Sequence, residues 1–229
     1  MVDLKDFIKF LRYPSLGKQF DIKSISAFLK LVWISFLILL GIDIATGFLI
    51  LTPLRHFNLL PVLKEINLIP FNILKATLLL PIIEELIFRL PLRISKVNVI
   101  TSFSIIIFLF MHKLCISNIY LAISLSIILF LSLYLCIKEE CNILNKLTIF
   151  FTNHFRLIIY SQALIFGFLH LTNYKIDFKY FYLFPLFSIS NISSGYFWGY
   201  IRVRYTFGIY VCVVSHIAVN SIYCLILSR

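Results

Sequence analysis

Apolar residues run along the chain in seven long stretches, each ended by a short polar or basic patch. They cover about residues 25–51, 71–92, 97–111, 119–137, 155–171, 180–200 and 206–227. A run of ~20 apolar residues is long enough to cross a bilayer as a helix. The pattern therefore predicts an all-α protein, a polytopic transmembrane helix bundle of about seven spans around an intramembrane polar cavity. The third run is short for a span and is expected to be tilted or partly re-entrant. The fourth holds no charge and reads as structural. We divide the chain into a basic, interfacial N-terminal segment, residues 1–24, and a single membrane domain, residues 25–229.

Smaller features refine this outline. Leu4, Phe7, Ile8 and Leu11 recur at helical spacing, so Asp3 to Arg12 are expected to form a short amphipathic helix on the membrane surface. Pro53, Pro61 and Pro70 punctuate the second loop, and residues 138–153 read as the most polar connection. Gly195 and Gly199 are four apart, a spacing that lets a neighbouring helix approach closely. Trp198, Tyr200 and Tyr205 fall near span ends, where an aromatic belt is expected.

Composition narrows the class. With 61% hydrophobic and 14% charged residues, and a mean hydropathy of +0.98, the chain is not a soluble globular domain. The formal charge of +11 is scattered between apolar runs, as in positive-inside loops. This argues against a nucleic-acid partner and for a lipid bilayer, with the N-terminus in the cytoplasm. Five cysteines, with no pair two residues apart, read as small packing residues rather than ligands or disulfides. The first apolar run is too long for a cleavable signal.

Candidate chemistry lies where polar groups interrupt the runs. Glu84, Glu85 and Arg89 follow Pro81 inside apolar sequence, where each charge costs ~2.5–3.5 kcal/mol at the centre of a spanning helix. Glu85 and Arg89 are four apart and pair on one helix face. Glu84 lies about 100° round and is left for other work. Later come Phe166-x-x-x-His170 and His216-x-x-x-Asn220. The second spacing aims imidazole and amide from one face. A carboxylate and an imidazole can share the deprotonation of one water. A second imidazole and an amide N–H can stabilise an oxygen that turns negative in the transition state. Together these are the parts of a hydrolase whose nucleophile is water. Structural readings stay open beside it: histidines that only pack, a Glu85–Arg89 pair that only braces, and Asn191, Ser193 and Ser194 bonding between helices.

In this order, Glu-Glu-x-x-x-Arg, Phe-x-x-x-His and His-x-x-x-Asn resemble the type II CAAX prenyl endopeptidases. These belong to the wider CAAX-protease and bacteriocin-processing (CPBP, or Abi) group of intramembrane proteases. The resemblance spans residues 71–227. It implies that Glu84 and His170 activate water, that His216 and Asn220 form the oxyanion site, and that Glu85 and Arg89 support the first motif. It also implies a cavity open toward the cytoplasm. Two features depart from the family's pattern. Leu90 and Pro91 follow Arg89 where many members have glycine, and the third and fourth runs separate the first motif from the second. There is no His-Glu-x-x-His, and metal-free activation of water without a cofactor is the expectation. Zinc held by Glu84, His170 and His216 is the alternative. The function implied is an endopeptidase acting on a membrane-associated protein or peptide in a bacterial cytoplasmic membrane. A non-catalytic interaction or bacteriocin-immunity protein on the same scaffold stays open. So does a small transporter using Glu84 and the histidines as a proton relay.

Overall fold

The computed structural model describes residues 2–17, 19–56, 67–68, 72–114, 119–136, 142–175 and 178–227. Pro61 and Pro70 of the second loop, Cys115, Cys141, Glu139 and Glu140 lie outside the described residues. Helix α1 (Leu4–Arg12) begins where the Asp3 carboxylate accepts from the backbone N–H groups of Lys5 at 2.9 Å and Asp6 at 3.2 Å. That cap satisfies donors the first turn leaves over. The helix forms over the expected residues, but one of its faces is committed to the bundle. Phe10 is fully buried against Tyr196 and Tyr200, while Leu4, Ile8 and Leu11 stay exposed.

Helix α2 (Ile25–His56) has 32 residues, about 48 Å of helix, longer than a ~30 Å hydrocarbon core. A π-helical turn (Lys75–Leu79), α3 (Leu80–Phe88) and a 3-10 turn (Leu90–Leu92) follow. The remaining helices are α4 (Lys96–Leu114), α5 (Ile119–Cys136), α6 (Asn142–Asn153), α7 (Phe155–Leu169), α8 (Phe184–Arg204) and α9 (Gly208–Leu227). Two-residue strands at Asn67–Leu68 and Tyr174–Lys175 pair antiparallel beside this all-α architecture.

Among the described residues five helices are long and apolar enough to cross a membrane, against the seven expected: Ile25–His56, Lys96–Lys113, Ile119–Cys136, Phe155–Asn173 and Gly208–Ile226. Hydropathy counting treats every run as one continuous lipid-facing helix, and two runs are not that. The 71–92 run is cut into π, α and 3-10 pieces around Pro81. The 180–200 run opens with a 3-10 turn and then forms α8, which packs against α2, α7 and α9. Every residue from Ser194 to Arg204 is buried, so protein rather than lipid is the neighbour of its polar groups. Trp198, Tyr200 and Tyr205 consequently form no belt; all three are buried in the core. The third run is a full helix, α4, and the 138–153 connection contains a helix, α6.

Small residues bring α7 and α8 together. A Cβ on Gly167 would sit 2.8 Å from the Ile192 backbone N, and one on Gly195 would sit 2.9 Å from the Phe166 ring. The Gly195–Gly199 stripe thus receives α7, as its spacing predicts. At one end of the bundle, arginines donate to chain ends. Arg202 donates to the carbonyls of Arg89 at 2.9 Å and Leu90 at 3.1 Å, and Arg93 to that of Thr206 at 3.2 Å. Burial, helped by the neighbouring Arg202 guanidinium, lowers Arg93 to about 10, so it stays charged at neutral pH. Arg204 reaches the Asp6 carboxylate at 2.9 Å, and Phe20 bridges to Arg204 and Thr206 through the backbone. Cys212 and Cys224 are buried free thiols, as packing residues should be, whereas Cys136 is a free thiol on the exposed side of α5.

Candidate functional site

Proline has no N–H and its ring clashes with the carbonyl four residues back. Pro81 therefore cannot continue an ordinary helix, and the turn before it is π-helical. There the donors reach five residues back, as Leu80 N–H does to the Lys75 carbonyl. The next donor in that series belongs to residue 81, and proline lacks it. The Ala76 carbonyl accepts instead from Asn220 Nδ2 of α9 at 3.0 Å. Single π turns recur at functional sites. This one precedes the first motif and is pinned to the last.

The α3 helix then carries Glu84 and Glu85 inward. Glu85 and Arg89 are both fully buried, with Arg89 Nε 3.5 Å from Glu85 Oε2. The Arg89 guanidinium lies over the Phe166 ring at 3.9 Å, with Trp198 at 5.3 Å and Phe88 at 5.7 Å. Its nitrogens make no hydrogen bond among the described residues, so aromatic faces and the Glu85 charge stabilise the cation. The other Glu85 oxygen, Oε1, meets His216 Nδ1 at 2.9 Å. Glu85 is therefore more than the brace expected of it, because it also orients an imidazole. Trp198 stacks on that imidazole at 4.2 Å and donates its indole N–H to Ser215 Oγ at 3.0 Å.

Glu84, His170 and His216 come from three different parts of the chain and meet. Their ligand-type atoms all lie within 4.8 Å of one another. Glu84 Oε2 is 3.6 Å from His216 Nε2 and 3.9 Å from His170 Nε2, too far for direct hydrogen bonds. The partners on the far side of each ring assign the tautomers. His170 Nδ1 faces the Phe166 carbonyl at 2.8 Å, which only accepts, so Nδ1 carries the proton. His216 Nδ1 faces the Glu85 carboxylate at 2.9 Å and donates to it in the same way. In its neutral form, each ring with Nδ1 so committed turns an Nε2 lone pair toward the Glu84 carboxylate. Three electron-pair donors facing one small space call for a proton-bearing or cationic guest: a water, or a metal ion. Side-chain exposure of 26% at Glu84 and 17% at His170, against 2% at His216, leaves the first two reachable.

Asn220 makes a contact that its spacing does not foretell. It stands one turn further along α9, with one amide N–H spent on Ala76. Trp198 was placed in a belt by its position alone, and the sequence gives no sign that it stacks on His216. Asp43 does have a signal in the sequence, as an acid inside the first apolar run. No protein-family model, curated protein or solved structure matches the chain.

Proposed function

We propose that the chain is an intramembrane endopeptidase that hydrolyses a peptide bond in a membrane-associated protein or peptide. The observation that carries this reading is the convergence of Glu84, His170 and His216, with both Nε2 atoms aimed at the carboxylate. A water seated among them donates its protons toward Glu84 and a histidine. Its oxygen is then free to attack a carbonyl carbon. His216 is held rigid by Glu85 and Trp198. A proton gained at its Nε2 leaves an imidazolium between two carboxylates, which suits it to stabilise the oxyanion. The choice of a peptide bond over other acyl bonds rests on the resemblance of the ordered motifs, as does the cytoplasmic side of entry.

The donor set also favours a second version of the same reaction. A histidine that binds metal commonly gives its other ring N–H to a carboxylate or a backbone carbonyl, and His216 and His170 do so here. These two and Glu84 fit three of the four positions of a zinc site. When bound, such an ion supplies a water of lowered pKa. In a closed tetrahedral site the ligand atoms lie ~3.3 Å apart. The spacings here, 3.6 and 3.9 Å, are wider, and we place the water-only version first.

The test is proteomic and enzymatic together. New protein termini in membranes of expressing cells, and cleavage of the corresponding peptide by purified protein, should both vanish in Glu84→Gln. Termini unchanged by Glu84→Gln, in a protein that remains folded, would leave the non-catalytic scaffold as the better reading.

A further inference from the structure

A carboxylate inside a spanning helix marks a functional place by default, because leaving it unpartnered is costly. Asp43 is such a group, and the catalytic reading does not use it. It lies in the middle of α2, which contributes no residue to the Glu84 cluster. Its Oδ1 accepts from Ser190 Oγ of α8, and the Tyr223 side chain of α9 lies close enough to interact with the same carboxylate. Tyr174, just after the 3-10 turn that begins with His170, is near enough to feel its charge. One short side chain on α2 thus joins both helices it packs against.

The α9 partner shows what this junction does. His216, Asn220 and Tyr223 recur at i, i+4 and i+7, one face of a helix. Each is tied to a different element: His216 to Glu85 on α3, Asn220 to Ala76 in the π turn, Tyr223 to Asp43 on α2. The stripe is about 10 Å long, and three anchors along it fix both the height and the rotation of α9. Rotation is what His216 is sensitive to, because its Nε2 must point at Glu84 while its ring stays flat on Trp198.

We propose that Asp43 is a positioning residue: by holding Tyr223 and Ser190 it sets the rotation of α9 and hence the aim of His216 at Glu84. The geometric part stands without any assumption about chemistry. The catalytic consequence rests on the endopeptidase reading.

Trp198 supplies a readout that does not depend on activity. The chain has two tryptophans, Trp33 and Trp198, so Trp33→Phe leaves one reporter in contact with His216. In lipid nanodiscs, Asp43→Leu and Tyr223→Phe should each alter the Trp198 emission lifetime, because the imidazole quencher shifts. Asp43→Asn, which still accepts a hydrogen bond, should keep the parent lifetime. Ile100→Ala on α4, a control that destabilises at a distance, should keep it too. In cleavage assays kcat should fall about tenfold to a hundredfold in Asp43→Leu, the scale of a small misplacement, with KM little changed. Tyr223→Phe removes a single hydroxyl and keeps the test valid if Asp43→Leu does not fold. Unaltered lifetimes in the folded Tyr223→Phe protein would overturn the proposal. Altered lifetimes with no cleavage by any form, the parent included, would uphold the positioning role and reject the peptidase reading alone.

Discussion

Replacing Asn220 by leucine should destabilise the bundle, and replacing Pro81 by alanine should remove most of that effect. The half-buried Ala76 carbonyl loses its Asn220 partner when the amide goes. An orphaned buried acceptor costs about 1–3 kcal/mol. Measured interhelical hydrogen bonds in membranes are smaller, averaging ~0.6 and reaching ~1.7 kcal/mol, because the unfolded chain also finds partners. We therefore expect Asn220→Leu to cost about 1–1.5 kcal/mol in the parent protein. Alanine at 81 restores an N–H that can reach Ala76, and in that background the cost should fall to a few tenths. The four proteins form a double-mutant cycle with a coupling of about 1 kcal/mol, readable by reversible unfolding in mixed micelles titrated with dodecyl sulfate. Equal losses in both backgrounds would refute the argument that Asn220 substitutes for the missing proline donor. Turnover separates a second role. If the remaining amide N–H serves an oxyanion, Asn220→Leu lowers kcat by ~10²–10³ whether residue 81 is proline or alanine.

Two further outcomes follow from the same geometry. Gly195→Val should lower stability by about 1–3 kcal/mol through overpacking, since its side chain runs into the Phe166 ring 2.9 Å and Arg89 Nη2 3.3 Å from the Cβ position. Unfolding titration reads the loss, and a neutral result would mean α7 and α8 can separate freely there. Extended dialysis against a strong chelator should leave cleavage intact. Loss of cleavage restored by zinc alone, with one ion per chain by elemental analysis, would move the reaction to its metal-assisted version.

Much of the helical architecture is legible in the run of apolar residues, because each backbone polar group in lipid must be satisfied within its own helix. Hydropathy cannot tell a helix facing lipid from one facing protein, and α8 is the case in point. Its Asn191 and serines depress its apolar character, yet it lies among three other helices. The order of the three motifs pointed to Glu84, His170 and His216, which the structure brings together. The aim of Asn220 was not legible. Its spacing from His216 is that of a shared face, but the orphan carbonyl opposite depends on how Pro81 deforms the preceding turn. Trp198 is buried although it stands near the end of a run, because nearness to that end says nothing about depth. Asp43 needed only the rule already applied to Glu84, that an isolated acid in an apolar run has partners to be found.

The contact between Arg204 and Asp6 joins residues 198 positions apart. At ~5–20 residues per second, roughly 10–40 s of synthesis separate the two. Through that interval α1 is made but has no α8 to pack against, and Phe10 has no pocket. Assembly at this end must therefore wait for the last two helices, whichever parts insert first. A chain stopped before Arg202 would hold a first motif whose Arg89 and Leu90 carbonyls still lack the Arg202 guanidinium. Closure of the N-terminal segment onto α8 is in this sense a late step of biogenesis, and the reactive cluster is completed later still, when His216 arrives on α9.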